Sequence, residues 1–284
     1  MKLHRILRLV VLPALLLAGS LTTFAQSTLF TAPTTDVQAR RTVYLEADFI
    51  THFGSYKDGG YQTYGPRVVV GLPKNTEVGV NVFYTKSSDP EPVELQPNFK
   101  WKFFEDEKRG LAAAAGFLLT IPLTHRREAK NTAMFYLVGS KSFSGNYGPR
   151  FTFGGYGLAG QFEQGTTRSG VIAAYEQPVT SKVLFITDWF SGNNEFGYVT
   201  PGIGINFSSK TSLYTGYSIG NEGRGNNFLS VYYGRTFSVC SQLPSSLKEE
   251  EETVLQLSRR ANRSAAVSFG FEFDRFCRFD SCFC

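Results

Sequence analysis

The chain has 284 residues, 42% of them hydrophobic and 19% charged, which is room for one large domain or two small ones. A content of 26 Phe, 14 Tyr and 28 Gly against two Met and two Trp suits strands better than helices, and it excludes a collagen, a coiled coil and a disordered chain. The formal net charge is +5, but Lys2, Arg5 and Arg8 at the extreme N-terminus supply three of those charges, so no nucleic-acid surface is implied.

Residues 1–26 read as an export signal. Lys2, Arg5 and Arg8 form its positive region, residues 9–18 its apolar core, and Thr23, Phe24 and Ala25 the peptidase site, with cleavage expected near Ala25. The apolar core is shorter than the roughly 20 residues a spanning helix needs. Residues 27–41 are then expected to form an N-terminal periplasmic segment. The longest apolar stretch beyond it, 110–124, is broken by Pro122 and is also too short for a helical span.

From residue 42 to 237 the dominant signal is alternation with period two, as in a strand with lipid on one side and a polar lumen on the other. Val43, Leu45, Ala47 and Phe49 stand against Tyr44, Glu46 and Asp48. Tyr64, Pro66, Val68, Val70 and Leu72 oppose Thr63, Arg67 and Gly71, and Val78, Val80, Val82 and Tyr84 oppose Glu77, Gly79 and Asn81. The cleanest segment sets Val93, Leu95, Pro97, Phe99, Trp101 and Phe103 against Glu94, Gln96, Asn98, Lys100 and Lys102. Further strands are predicted near 110–123, 132–142, 149–158, 169–178, 182–190, 196–207, 212–219 and 227–237, those at 132–142 and 149–158 with ambiguous parity.

The connectors alternate. Tight turns at 73–75, 179–181 and 208–211 separate polar loops beginning at Ser55, Thr85, Thr124, Ala159, Ser191 and Gly220. The pattern predicts an all-β fold, a transmembrane up-and-down antiparallel β-barrel of about 12 strands. A soluble β-sandwich also alternates, but it gives no reason for one face to carry Gly65, Gly71, Gly79, Gly116, Gly202, Gly204 and Gly216.

The stretch LSVYYGRTF, 229–237, resembles the closing strand of outer-membrane barrels, which ends in Phe after alternating aromatics. The resemblance implies that Phe237 and Tyr233 are read by the barrel-assembly machinery. Arg235 departs from the pattern at an outward position, where it is able to snorkel. Residues 238–284 form an atypical tail holding all four cysteines, Cys240, Cys277, Cys282 and Cys284. The tail reads as a frameshift or read-through, or as a short helix over 249–260 followed by a strand through Val267, Phe269, Phe271 and Phe273. A C-x4-C-x-C spacing matches no metal site well.

The stretches GLPKNTEVGVNVFY from Gly71 and YEQPVTSKVLFITDWFSGNNEFGYVTPGIGINF from Tyr175, with Asp188 to Gly192 as the most characteristic part, resemble the outer-membrane transporter family named for the phenol-degradation meta-pathway. The resemblance covers roughly 42–237 and implies a channel for small molecules in the bacterial outer membrane without naming a solute.

Parity places Glu46, Asp48, Arg67, Glu77, Glu94, Lys100, Lys102, Arg150, Glu176, Lys182 and Asp188 on the lumen wall. These charges nearly balance, so little charge selectivity is expected, and they are able to bridge a narrow interior. The expectation is a passive channel for small solutes, hydrophobic and aromatic ones among them. No cofactor or metal is called for, and the partners are outer-membrane lipid, the assembly machinery and the solute. The oligomeric state is left open. A non-conducting surface barrel is the alternative, its loops, notably Arg126, Arg127 and Lys130, meeting a partner or lipid headgroups. A lipid hydrolase ranks lower: the mature chain holds only His52 and His125, neither beside a recognisable nucleophile.

Overall fold

The computed structural model describes residues 28–127, 129–145, 147–223 and 225–239. The export signal and the cysteine-bearing tail lie outside the described residues.

Twelve strands follow one another along the chain: β1 (Thr42–His52), β2 (Tyr61–Leu72), β3 (Thr76–Lys86), β4 (Glu94–Asp106), β5 (Leu111–Pro122), β6 (Thr132–Ser142), β7 (Arg150–Gly160), β8 (Ser169–Pro178), β9 (Val183–Phe190), β10 (Tyr198–Ser208), β11 (Thr211–Gly220) and β12 (Phe228–Ser238). Each pairs antiparallel with its sequence neighbours, and β1 pairs with β12 from Thr42↔Ser238 to Thr51↔Leu229, closing the barrel. Closure leaves no unpaired sheet edge. Both ends of the sheet emerge at one rim with the connections 73–75, 107–110, 143–149, 179–182 and 209–210, here the turn end. The other six, 53–60, 87–93, 123–131, 161–168, 191–197 and 221–227, form the loop end.

Alternation decides which side chains face out. Phe135, Leu137, Phe151, Phe153, Tyr217 and Tyr233 are exposed, while Met134, Val138, Thr152, Tyr156, Tyr214 and Tyr232 between them are buried. The two strands of ambiguous parity thus take a definite phase. Outside, Phe99, Phe117 and Phe135 stack across three neighbouring strands with centroids 5.8 and 6.3 Å apart. At the turn end, Phe143, Phe151, Tyr175 and Phe185 form a second row. A continuous outer band of this kind is far too apolar for water and suits a hydrocarbon surround.

Local chemistry fixes the turns and the seam. Lys74 and Asn75 both take positive φ, 61° and 55°, the backbone of a two-residue hairpin whose twist matches its strands. At the seam the Tyr44 ring covers Gly234, where a Cβ would strike the phenol, and its hydroxyl donates to Glu46 Oε2 at 2.5 Å.

In β4 the alternation holds through Phe103, which is exposed as expected, and a bulge between Lys102 and Phe104 shifts the register so that Phe104 is exposed as well. One expectation is corrected. The segment expected to be periplasmic is inside the barrel. From Thr28 to Ala39 it lies against the inner wall, with Leu29, Phe30, Ala32, Thr34 and Thr35 all buried.

Candidate functional site: an occupied lumen

Holding a segment inside a barrel opposes chain entropy of about 1–2 kcal/mol per ordered residue, so the wall must offer specific partners. It does so around much of its circumference. Asp188 Oδ2 on β9 accepts from the backbone N–H groups of Thr31 and Ala32, both at 2.8 Å. Glu77 Oε2 on β3 accepts from the Gln38 N–H at 2.7 Å. Hydrogen bonds from backbone donors to a buried carboxylate are charge-assisted and among the stronger kind. Asp36 forms an ion pair with Arg150 of β7, and its backbone carbonyl accepts from Lys100 Nζ at 3.1 Å. Thr35 and Ser140 hydroxyls meet at 2.6 Å, and Arg67 Nη1 donates to Thr28 Oγ1 at 2.9 Å.

Shape reinforces these bonds. Phe30 packs against Tyr232 and enters a recess made by Gly202 and Gly216, where any Cβ would overlap its ring. Gly71 does the same for the backbone of Gln38 and Ala39. Gly71, Gly202 and Gly216 therefore make room for the chain's own leading segment, whereas Gly65, Gly79, Gly116 and Gly204 make room for the wall side chains Phe83, Asn98, Tyr136 and Tyr214.

Between the inner segment and the loop end lies a cavity of about 250 Å³. Its floor is Thr28, Phe30, Thr31 and Pro33 of the inner segment, and its roof is Glu195 and Phe196 of loop 191–197. Hydrogen bonds hold that loop inward. Asn194 Nδ2 donates to the Tyr156 hydroxyl at 2.6 Å and to the Thr167 carbonyl at 2.9 Å, while Asn221 Nδ2 donates to the carbonyls of Phe190 and Gly192, both at 2.8 Å. Phe196 then packs on Phe190, centroids 5.6 Å apart.

The lumen has two chemically distinct walls. On β1 to β4 the inward residues include Glu46, Asp48, Arg67, Glu77, Asn81, Gln96, Asn98 and Lys100; Arg67 pairs with Glu46 at 3.1 Å and Asp48 at 3.2 Å, and Lys100 with Glu77 at 3.5 Å. On β5 to β9 the interior is largely apolar, with Leu118, Met134, Val138, Ile172, Ile186 and Phe190 in one cluster with Leu29 and Phe30. Sequence parity found the first wall and missed the second. The signal was present in the inward apolar run Ile172, Ala174, Ile186 and Phe190, together with Leu29 and Phe30 upstream of the first strand.

The other expected lumen residues are placed as follows. Glu94 is half-buried and accepts from Gln96 Nε2 at 3.2 Å. Arg150 donates through Nε to Glu176 Oε2 at 2.5 Å. Lys102 turns to Glu105 beside the bulge. Lys182 is a correction: it falls in the turn before β9 and is exposed, because the strand begins at Val183. Asp36, outside the predicted strands, takes an inner position instead, and Glu195, also outside them, is exposed at the rim where it lines the cavity mouth. Glu195 keeps contact with solvent, yet enclosure at the cavity mouth and repulsion from Glu94 push its carboxyl up to about 7. The balance of charge inside is therefore more acidic than parity suggests.

No family model and no curated protein matches this chain. Among solved structures, the KdgM porin is similar at 9% identity and a TM-score of 0.48, over 68% of this chain and 99% of that one. An outer membrane channel from Pseudomonas putida F1 is similar at 13% identity and a TM-score of 0.47, over 71% of this chain and 97% of that one. The NanC porin is similar at 12% identity and a TM-score of 0.45, over 69% and 98%.

Proposed function

We propose that this protein is a bacterial outer-membrane channel for passive passage of small solutes, of the transporter type that its sequence resembles. The observation that carries this reading is the contrast between the two faces of one closed sheet. The outer face is an apolar aromatic band, and the inner face surrounds a cavity lined by charged, amide and apolar groups. The apolar wall on β5 to β9 supports hydrophobic or aromatic solutes over strongly hydrated ones. The outward row Leu229, Val231, Tyr233, Arg235 and Phe237 at the seam supports entry by way of the barrel-assembly machinery.

In this reading the inner segment sets the bore. Planar-bilayer conductance of the refolded barrel, with and without residues 28–38, is the test. The full chain is expected to give small discrete steps and the shortened one larger steps. Silence from both folded forms would defeat the channel.

A second reading, a non-conducting surface barrel, draws support from the filled lumen and from Arg126, Arg127 and Lys130, which are exposed at the loop end. A hydrolase finds no such support, because His52 Nδ1 is engaged with the Asn227 carbonyl and its ring stacks on Tyr61 at 6.0 Å.

A further inference from the structure

We propose that the cavity between the inner segment and loop 191–197 is a binding site for a small organic cation, an arylalkyl ammonium of single-ring size. The inference rests on the lumen being a route for small solutes and names the class it takes.

The first observation is an unpartnered acceptor. Asn81 lines the cavity from β3 and is only 3% exposed, yet its Oδ1 has no hydrogen-bond partner among the described residues. Buried acceptors are ordinarily satisfied, and an orphan beside a cavity calls for a donor from a guest. The second is charge. Glu195 at the roof faces Glu94, and neither forms an ion pair among the described residues. The nearby cations are committed elsewhere: Arg67 to Glu46 and Asp48, Lys100 to Glu77. In the neighbouring loop, Arg126 Nε donates to the Leu123 carbonyl and Lys130 Nζ to the Arg127 carbonyl. Two basic side chains line the cavity, but both are held against carboxylates of the wall, and among the described residues no ion pair answers Glu195 or Glu94; beside them and the Asn81 amide oxygen, a positive guest with N–H donors is the complement.

The third is shape. Phe30, Phe83, Leu118, Met134 and Phe196 supply apolar walls, and about 250 Å³ exceeds the ~150 Å³ that accommodates benzene, leaving space for a short arm. A ring seated among these side chains directs its ammonium toward Glu195 and Asn81, with the face of Phe196 available to the cation. An anionic ring of equal size would be repelled by Glu195, and a neutral one would leave that charge unanswered.

Equilibrium dialysis of the full chain, refolded in non-ionic micelles at pH 8 and referenced to empty micelles, compares phenethylammonium, 2-phenylethanol and phenylacetate. The ammonium is expected to bind at least about tenfold more tightly than the alcohol, a gap of ~1.4 kcal/mol, and the carboxylate not at all. Glu195→Gln is expected to lower ammonium affinity about tenfold while leaving the alcohol unchanged. Asn81→Leu is expected to weaken the ammonium in the same direction, with barrel closure checked by heat-modifiable gel mobility. Equal binding of ammonium and alcohol, preference for phenylacetate, no binding by the folded barrel, or indifference to both substitutions would overturn the proposal. Ammonium binding by a barrel that never conducts would defeat the channel and leave the site standing; conductance without ammonium binding would defeat the site alone.

Discussion

Asp188 Oδ2 accepts the backbone N–H of Ala32 at 2.8 Å, joining positions 156 residues apart and fastening the inner segment to the barrel wall. The same oxygen holds Thr31. Hydrogen bonds to a charged group contribute roughly 1.5–3 kcal/mol each. Asp188→Asn is therefore expected to loosen residues 28–38 while the strands stay paired. Amide hydrogen exchange checks this: faster exchange confined to that segment is the expected result, and unchanged protection at Thr31 and Ala32 would contradict it.

The Phe30 recess gives a test by size exchange. Gly216→Ala places a methyl against the ring, and Phe30→Ala empties the recess. Large-to-small changes at buried Phe commonly cost about 3–5 kcal/mol. Each single variant is expected to raise single-channel conductance by unseating the segment. The double variant is expected to fall below the sum of the two, since the added methyl then has space. Strict additivity would argue that the two positions do not meet.

The buried pair Lys100 and Glu77 separates wall residues from turn residues. Both side chains are at most 4% exposed, and Glu77 also holds the Gln38 N–H. Removing Lys100 leaves a buried charge without its partner, a change that typically costs 3–5 kcal/mol. In urea titrations of the refolded barrel, Lys100→Ala is expected to lower the midpoint clearly and Lys182→Ala, in the exposed turn, to leave it in place.

Much of this fold was legible in the sequence, for a physical reason. A strand with lipid on one side and an interior on the other writes its environment residue by residue, so β1 to β4 could be phased directly from rows such as Glu46 and Asp48 against Leu45, Ala47 and Phe49. The bulge after Lys102 was hidden because Phe103 and Phe104 are both aromatic, and either satisfies an outward position. The occupied lumen was hidden because period-two reasoning sees one strand and its two faces. It does not see that Ile172, Ile186 and Phe190 are apolar on the inner face because Leu29 and its neighbours join the same cluster. The inward glycines were noticed as a crowded interior, yet what crowds Gly71, Gly202 and Gly216, namely Phe30 and the backbone of Gln38 and Ala39, comes from before the first strand. Asp36 and Glu195 lay off the strands, where parity says nothing.

Glu195 predicts a pH dependence with a definite sign. Its carboxyl is pushed up to about 7, so it is largely neutral at pH 6 and largely charged at pH 8. Glu94 is the like-charged neighbour that opposes its ionisation, and ionisation adds negative charge to the mouth. The cation-to-anion permeability ratio, from reversal potentials under a salt gradient, is expected to rise between those two values. In Glu195→Gln the rise is expected to disappear. A ratio that falls over the same interval would contradict the assignment.

The connection between Ala39 and Thr42 spans only a short stretch of chain, yet it joins a segment inside the barrel to a strand in its wall, and that strand is also half of the closing seam. Enclosure and closure are thus neighbouring events on one chain. The leading segment must already be within the curling sheet when Thr42 zips to Ser238, or else thread a finished cylinder afterwards. The first order spares a passage through a lumen whose walls touch the segment on nearly every side. A bulky domain fused ahead of Thr28 would then hinder the maturation of the barrel itself, in addition to obstructing its bore.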